Sequence, residues 1–481
     1  MNKNIKNLKV TNEYLDLGEE FYSYSNISSL NNSKLLSYNK DILKLLNIDE
    51  QSLCKNSLND IINGKHILKN STPYSMVYAG HQFGYFVPQL GDGRAINLGT
   101  INNKYHLQLK GSGLTKYSRM GDGKAVLRSS IREYLCSEAM RGLGIPTTNA
   151  LGIITSKDEV YREEIEMASI VLRVSPSWVR FGTFEYFSAK NDIKNLKKLA
   201  NYTIKENYPH LLNEKDPYEK LFFEVVDKTA YMISLWMAYG FMHGVMNTDN
   251  MSIAGLTIDY GPYAFMDNFD INNICNHTDT QGRYSYINQP YVAKWNLEAL
   301  ANAFSKIANI DKLLEYNDTF LHIQDHLYIK KMEEKLGINY PKNKTSNQKI
   351  IKNLLSTLNS CYIDYTLFFN LLSQFKYDEI LNLCIQKEPM IKWLDEYKTI
   401  LQNQNITKET ISQNMQKLNP KYVLKNYILQ EAIQKAKKGD YTLVNDLLKI
   451  VKNPFKTYEG FDRYMQTTPI QYSNIKLSCS S

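Results

Sequence analysis

Apolar residues along this chain change their spacing several times, and each change predicts a different kind of element. Between residues 75 and 99 short apolar runs are broken by glycine, ending in the turn Gly91-Asp92-Gly93-Arg94, which predicts short strands joined by tight turns. Tyr105-His106-Leu107-Gln108-Leu109-Lys110 alternates with period two and predicts a strand whose last residue is a lysine. The spacing then lengthens: Val126, Ile131, Leu135 and Met140 form a broad stripe that predicts a helix from about 125 to 141, stopped by Gly142, Gly144 and Pro146. Strands are expected again over 149–154 and 169–175. From 193 to 239 the pattern is helical, and 219–239 is apolar nearly all round, as a buried helix would be. Helical patterns dominate 292–452, whereas residues 1–70 are polar and poorly periodic and predict a lead-in of helices and loops.

The buried helix runs into the segment with the densest chemistry, residues 237–262. There His243-Gly244-Val245-Met246-Asn247-Thr248-Asp249-Asn250 keeps the spacing of the protein-kinase loop H-R-D-x-x-x-x-N, and Asp259-Tyr260-Gly261 stands in the place of D-F-G. An amide and a carboxylate so spaced, Asn250 and Asp259, are candidate oxygen ligands for a divalent metal. Val245 holds the position of the usual catalytic aspartate and cannot accept a proton, which speaks against an ordinary kinase. Asp249, directly before Asn250, is a carboxylate that can take a proton from an attacking hydroxyl beside a bound metal.

Upstream residues extend this picture. Lys110, at a strand end well before the loop, stands where kinases place the lysine that pairs with phosphates; a solvated strand-end lysine is the plain alternative. A lysine beside phosphates needs a carboxylate to hold it, and the helix offers Glu133, or Glu138 if the helix is rotated. The Gly91–Arg94 turn can offer backbone amides and a guanidinium to phosphate oxygens, or be a plain hairpin turn. Arg173 inside an apolar strand and Arg180 after Trp178 are costly to bury without an anion; the alternative is structural pairing with Glu163, Glu164 or Glu185. Eight of the ten arginines fall between Arg94 and Arg180 in a chain that elsewhere uses lysine, which points to guanidinium forks gathered for phosphate or carboxylate.

Composition narrows the function classes. At 481 residues the chain is long enough for two or three packed lobes. No run of about eighteen apolar residues and no apolar leader is present, so a cytoplasmic protein without a membrane partner is expected. The net charge of +8 arises from scattered lysines with no basic block, so nucleic acid is not an expected partner. The six cysteines show no C-x-x-C pair, which argues against a zinc ribbon or a disulfide scaffold. His322 and His326 stand one helical turn apart without a third ligand in evidence, which favours a helix surface over a zinc site.

Four ordered blocks, YAGHQFGYFVPQLGDGRA, LQLKGSGLTKYSRMGDGKAVLRSSIREYLCSEAMRGLGIPT, VLRVSPSWVRFGTFEYF and HGVMNTDNMSIAGLTIDYGP, resemble the selenoprotein O (YdiU) family of kinase-fold protein adenylyltransferases. The resemblance implies an α+β, protein-kinase-like bilobal fold. Its parts would be a lead-in at 1–70, a mixed β-sheet nucleotide-binding N-lobe at 71–190, a helical C-lobe with the metal and catalytic loop at 191–335, and a C-terminal helical extension at 336–481. It also implies transfer of AMP from ATP, bound in reversed orientation, to Ser, Thr or Tyr hydroxyls of protein substrates, with Mg2+ or Mn2+ as cofactor. UMP transfer, phosphotransfer and a non-catalytic nucleotide-binding scaffold are the alternatives.

By position in the matching blocks, the nucleotide ligands would be Gly91, Gly93, Arg94, Lys110, Asp122, Gly123, Arg173 and Arg180. Asn250 and Asp259 would be the metal ligands, with Asp259 also at the nucleotide, Asp249 the proton acceptor and Glu133 the partner of Lys110. AMP transfer attacks the α-phosphorus, so Arg173 and Arg180 suit a clamp on the departing β- and γ-phosphates. A monomer is expected. Some family members carry a selenocysteine or a cysteine pair near the C-terminus; here Cys479 takes that place and Lys476 replaces its neighbour, and the alternatives for Cys479 are a regulatory disulfide with Cys275, shortly after the metal loop, or an idle thiol on a frayed tail.

Overall fold

The computed structural model describes residues 4–53, 56–338, 344–472, 475 and 477. Ten strands come first: β1 (Tyr22–Tyr24), β2 (Lys34–Tyr38), β3 (Tyr74–Met76), β4 (Gly80–Gln82), β5 (Tyr85–Val87), β6 (Ala95–Ile101), β7 (Tyr105–Lys110), β8 (Ala125–Val126), β9 (Asn149–Tyr161) and β10 (Ile165–Ser175). The main sheet has the order β1-β3-β6-β7-β10-β9-β2, with β8 on β10, while β4 and β5 form a separate hairpin. Helices make up most of the chain thereafter, so the class is α+β. The described pairings of the main sheet are all antiparallel, which corrects the expected mixed sheet. Its longest neighbours, β6 with β7 and β9 with β10, are joined by short reversals that need no crossover.

Register decides which side chains share a face. Lys110 lies opposite Val171, and Gln108 opposite Arg173. Because side chains alternate along a strand, Gln108, Lys110 and Arg173 therefore point to the same side of the sheet. The opposite side presents Leu107, Leu109, Ile170, Leu172 and Val174, which pack with Ile5, Leu8, Leu43, Leu58 and Ile61. The first 70 residues are thus more than helices and loops: they cover one face of the sheet and supply both of its edge strands. With three and five residues, β1 and β2 are too short for their alternation to stand out. β9 and β10 in turn run past the expected 149–154 and 169–175, meeting at Tyr161 and Ile165 in a charged hairpin held by backbone pairing.

The helix Leu127–Gly142 lies on the lysine-bearing face, where Leu127, Ile131 and Leu135 join Val171 and Ile153 in one core. Its far end receives the helix Thr442–Lys452, and a Cβ on Gly142 would come within 2.0 Å of Val451 O. C-terminal sequence therefore returns to the sheet-bearing half. The expected helical stretch 193–239 is split into Ile193–Asn207 and Pro217–Tyr239 around Pro209, with Pro217 opening the second helix. That helix ends at Gly240, whose φ of 67° suits a glycine. Directly after it, β11 (Phe241–Met242) pairs with β12 (Ala264–Phe265), so the loop between them is tied at its base. No described helix is long and apolar enough to cross a membrane. His322 and His326 lie on the helix Phe320–Leu336, and no group of three His, Cys, Asp or Glu residues is disposed to hold a metal among the described residues.

Candidate nucleotide and metal site

Between the sheet face that carries Lys110 and the loop tied by β11 and β12 lies a cavity of about 470 Å3. It brings together Gly91, Gly93, Arg94, Lys110, Asp122, Gly123, Glu133, Arg173, Arg180, Asn250 and Asp259, which are far apart in the chain. Seven Lys and Arg residues line it against four Asp and Glu residues, so the cavity favours an anionic occupant. Gly91 lets two loops close on one another: its φ is 136°, and a Cβ there would strike the Tyr117 ring at 2.4 Å.

The floor is one continuous charge network. Lys110 Nζ lies 2.7 Å from Glu133 and 3.5 Å from Asp259, while Arg173 reaches Glu133 at 3.1 Å and Asp259 at 2.7 Å. Arg180 pairs with the other Asp259 oxygen, so both oxygens of that carboxylate are taken by cations. Glu138, the alternative partner for Lys110, instead binds Arg141 at 2.6 Å and accepts from Asn39. Arg173 pairs with Glu133 and Asp259, and Arg180 with Asp259 and Asp92, while Glu185 pairs with His81; each arginine also lies over an aromatic ring, Trp178 at 4.6 Å and Tyr78 at 4.8 Å. Burial pushes the Asp259 carboxyl up, but Arg180, Lys110 and Arg173 outweigh it and hold the group well below the usual carboxylate range. Burial also pulls the Lys110 ammonium down, against the pull of Glu133 and Asp259.

The loop places the rest. His243 is buried, and its Nε2 donates to Ile258 O at 2.8 Å while Nδ1 accepts from Val245 N at 3.4 Å. The ring is therefore the neutral Nε2–H tautomer, and it ties residue 243 to the residue before Asp259. Asn250 Nδ2 donates to Val245 O at 3.0 Å, which leaves Oδ1 as the side-chain acceptor beside the cavity. An amide oxygen and an ionised carboxylate are hard donors that fit Mg2+ or Mn2+, provided phosphate oxygens and water complete the shell. Asp249 stands apart from the other candidates: it is buried next to the cavity without lining it. Arg180 Nη1 donates to its backbone oxygen at 2.6 Å, and Asp249 Oδ1 has no hydrogen-bond partner among the described residues. Burial, partly opposed by Arg180, raises its carboxyl to about 6.

A family model described as "Protein adenylyltransferase SelO" matches residues 4–452. The chain belongs to the SelO family. Among curated proteins it is 40% identical over 484 residues to the protein nucleotidyltransferase YdiU of Aliivibrio fischeri (strain MJ11), covering 98% of this chain and 99% of that one. It is 38% identical over 487 residues to the protein nucleotidyltransferase YdiU of Myxococcus xanthus (strain DK1622), covering 99% of each. It is 39% identical over 487 residues to that of Pseudomonas aeruginosa (strain LESB58), covering all of both.

The geometry of this SelO family member also shows residues that sequence patterns pass over. Asp92 is buried in the cavity wall and accepts from Met76 N at 3.1 Å and from Asn97 and Gln108, with Arg180 at 3.9 Å. Its neighbouring glycines carry the turn signal and mask it. Gln108 also accepts from Arg173, and only the register of β7 against β10 reveals that contact. Asp122 is held by a two-point contact with Arg162 at 2.8 and 2.9 Å, placing both at the rim. The tail reaches the loop region as well: His277 N donates to Leu477 O at 3.0 Å, two residues from Cys275. Cys479 and Lys476 lie outside the described residues.

Proposed function

We propose that this SelO family chain is a protein adenylyltransferase that moves AMP from ATP to a Ser, Thr or Tyr hydroxyl of a protein and releases pyrophosphate. The observation that carries this reading is the convergence of Lys110, Arg173 and Arg180 on one anion-favouring cavity, with Asn250 and Asp259 beside them and no acid at Val245. The descriptions "Protein adenylyltransferase SelO" and "protein nucleotidyltransferase" support it. We read the sheet half and the helical half as kinase-like lobes divided near residues 190 and 335.

In this reading, Lys110, Arg173 and Arg180 bind the triphosphate, with the two guanidiniums on the β- and γ-phosphates that depart. Arg94 and the glycine turns at Gly91, Gly93 and Gly123 close around the nucleotide, and the Asp122–Arg162 pair forms its rim. Asn250 and Asp259 would hold a divalent cation, which would supply neutralisation of phosphate charge. Glu133 holds Lys110 in place. Asp249 takes the proton of the acceptor hydroxyl as its oxygen bonds to the α-phosphorus; the bond from that phosphorus to the oxygen bridging to the β-phosphate breaks, and pyrophosphate leaves.

Incubation of the chain with a proteome extract and ATP labelled separately at the α and γ positions tests the reading. Label from the α position alone, retained on protein, is the expected result, and γ label on protein would make the chain a phosphotransferase. Transfer from α-labelled UTP in preference to ATP would make it a uridylyltransferase, and no label from any donor would make it a scaffold.

A further inference from the structure

The hairpin β4–β5 lies outside the cavity lining, yet it grips the turn that carries Asp249. Three consecutive hairpin residues address the three residues of that turn. His81 N donates to Thr248 Oγ1 at 2.7 Å, Gln82 Nε2 to Asp249 Oδ2 at 3.2 Å, and Phe83 N to Asn247 Oδ1 at 3.1 Å. Tyr284 OH reinforces the last of these by donating to Asn247 Oδ1 at 2.6 Å. The hairpin is itself anchored, since Ala79 N donates to Gly182 O at 2.9 Å. Contact is too close for a side chain at its first residue: a Cβ on Gly80 would lie 2.9 Å from Asp249 Cβ.

Of these bonds, only that from Gln82 reaches the Asp249 carboxylate. An ionised carboxylate accepts and never donates, so the Gln82 amide must present its NH2 group. With Oδ2 so engaged and Oδ1 lacking a partner among the described residues, the two oxygens are chemically distinct. Oδ1 is buried against the hairpin, 2.9 Å from where a Gly80 Cβ would stand. We infer that Gln82 is a positioning residue for Asp249: its amide holds Oδ2 and so fixes the plane of the carboxylate that takes the proton of the acceptor hydroxyl. This rests on the role proposed above for Asp249.

The hairpin's other bonds use the backbone N–H groups of His81 and Phe83, so substitution at 82 leaves them in place. Gln82→Met keeps the length and removes the donor. The expected result is a fall in kcat for AMP transfer of roughly ten- to a hundred-fold, the scale of one charge-assisted hydrogen bond, with KM for ATP and nucleotide affinity by calorimetry unchanged. The same substitution in an Asp249→Ala background should have no further effect, because the group it orients is gone. An unchanged kcat in Gln82→Met, a matching loss of nucleotide affinity, or a Gln82 effect that multiplies with that of Asp249→Ala would overturn the inference alone. Absence of transfer by the unsubstituted chain, or full transfer by Asp249→Ala, would overturn the role of Asp249 and this inference with it.

Discussion

Asp259→Asn should change nucleotide binding and transfer in opposite directions. Both Asp259 oxygens are engaged by Lys110, Arg173 and Arg180, so in the proposed reading the carboxylate competes with the triphosphate for these cations. Without a metal it opposes the triphosphate. At an effective dielectric of about 20, a unit charge about 8 Å away is repelled by ~2 kcal/mol. Screening by salt trims this, so the substitution should tighten the Kd for a metal-free, non-hydrolysable ATP analogue by about ten-fold. With Mn2+ present the same variant should lose the metal-dependent gain in affinity and the transfer activity. Removing the carboxylate also leaves buried cations short of a counter-charge, a loss of up to ~3–5 kcal/mol, which the remaining Glu133 reduces. The melting temperature should therefore fall and recover on adding nucleotide. Calorimetry in chelator and in Mn2+ reads both affinities. Weaker binding in chelator, or an undiminished Mn2+ effect, would refute the assignment of Asp259 as both counter-ion and metal ligand.

Further predictions follow the same network and its supports. Asp249→Ala should lower transfer by roughly 10²–10⁴-fold, as loss of a general base does, with nucleotide affinity retained; unaltered transfer in a single-turnover assay would remove its role. Glu133→Gln frees Lys110 and Arg173 from their shared carboxylate, so KM for ATP should rise and the protein should melt lower, and a variant indistinguishable in both would show the pair to be incidental. Gly142→Ala drives a Cβ into Val451 O, so it should destabilise the chain by about 1–3 kcal/mol in denaturant unfolding, and an unchanged midpoint would contradict the packing of the C-terminal helix. Because Leu477 docks on His277 and Cys275 Sγ lies within 2.8 Å of where a Gly244 Cβ would stand, oxidation with glutathione disulfide should yield a Cys275–Cys479 peptide in mass mapping. Both thiols found free after oxidation would dismiss that link.

The central helix and the loop were the most legible parts of the chain, for a physical reason. A stretch apolar nearly all round must be largely buried, and Pro217–Tyr239 is, with Asp227 and Tyr231 left exposed. Lys110 and Glu133 are legible because a strand end and a helical repeat fix where their side chains project. What alternation cannot show is pairing between distant segments. The edge strands β1 and β2 belong to the sheet through backbone hydrogen bonds that leave little trace in side-chain pattern. Asp92 and Gln108 join the site through register and burial, and Gln82 through a hairpin whose second strand starts at the exposed Tyr85. Nor does the order of elements announce that the last long helix packs back on Leu127–Gly142.

A crystal structure of the chain with a non-hydrolysable ATP analogue and Mn2+, with the ion located by its anomalous signal, tests the central claim most directly. The account predicts Mn2+ between Asn250 Oδ1 and Asp259, the guanidiniums of Arg173 and Arg180 moved from Asp259 onto the β- and γ-phosphates, and the α-phosphate nearest Asp249. A triphosphate bound outside this cavity, or one whose γ-phosphate rather than α-phosphate faces Asp249, would contradict it.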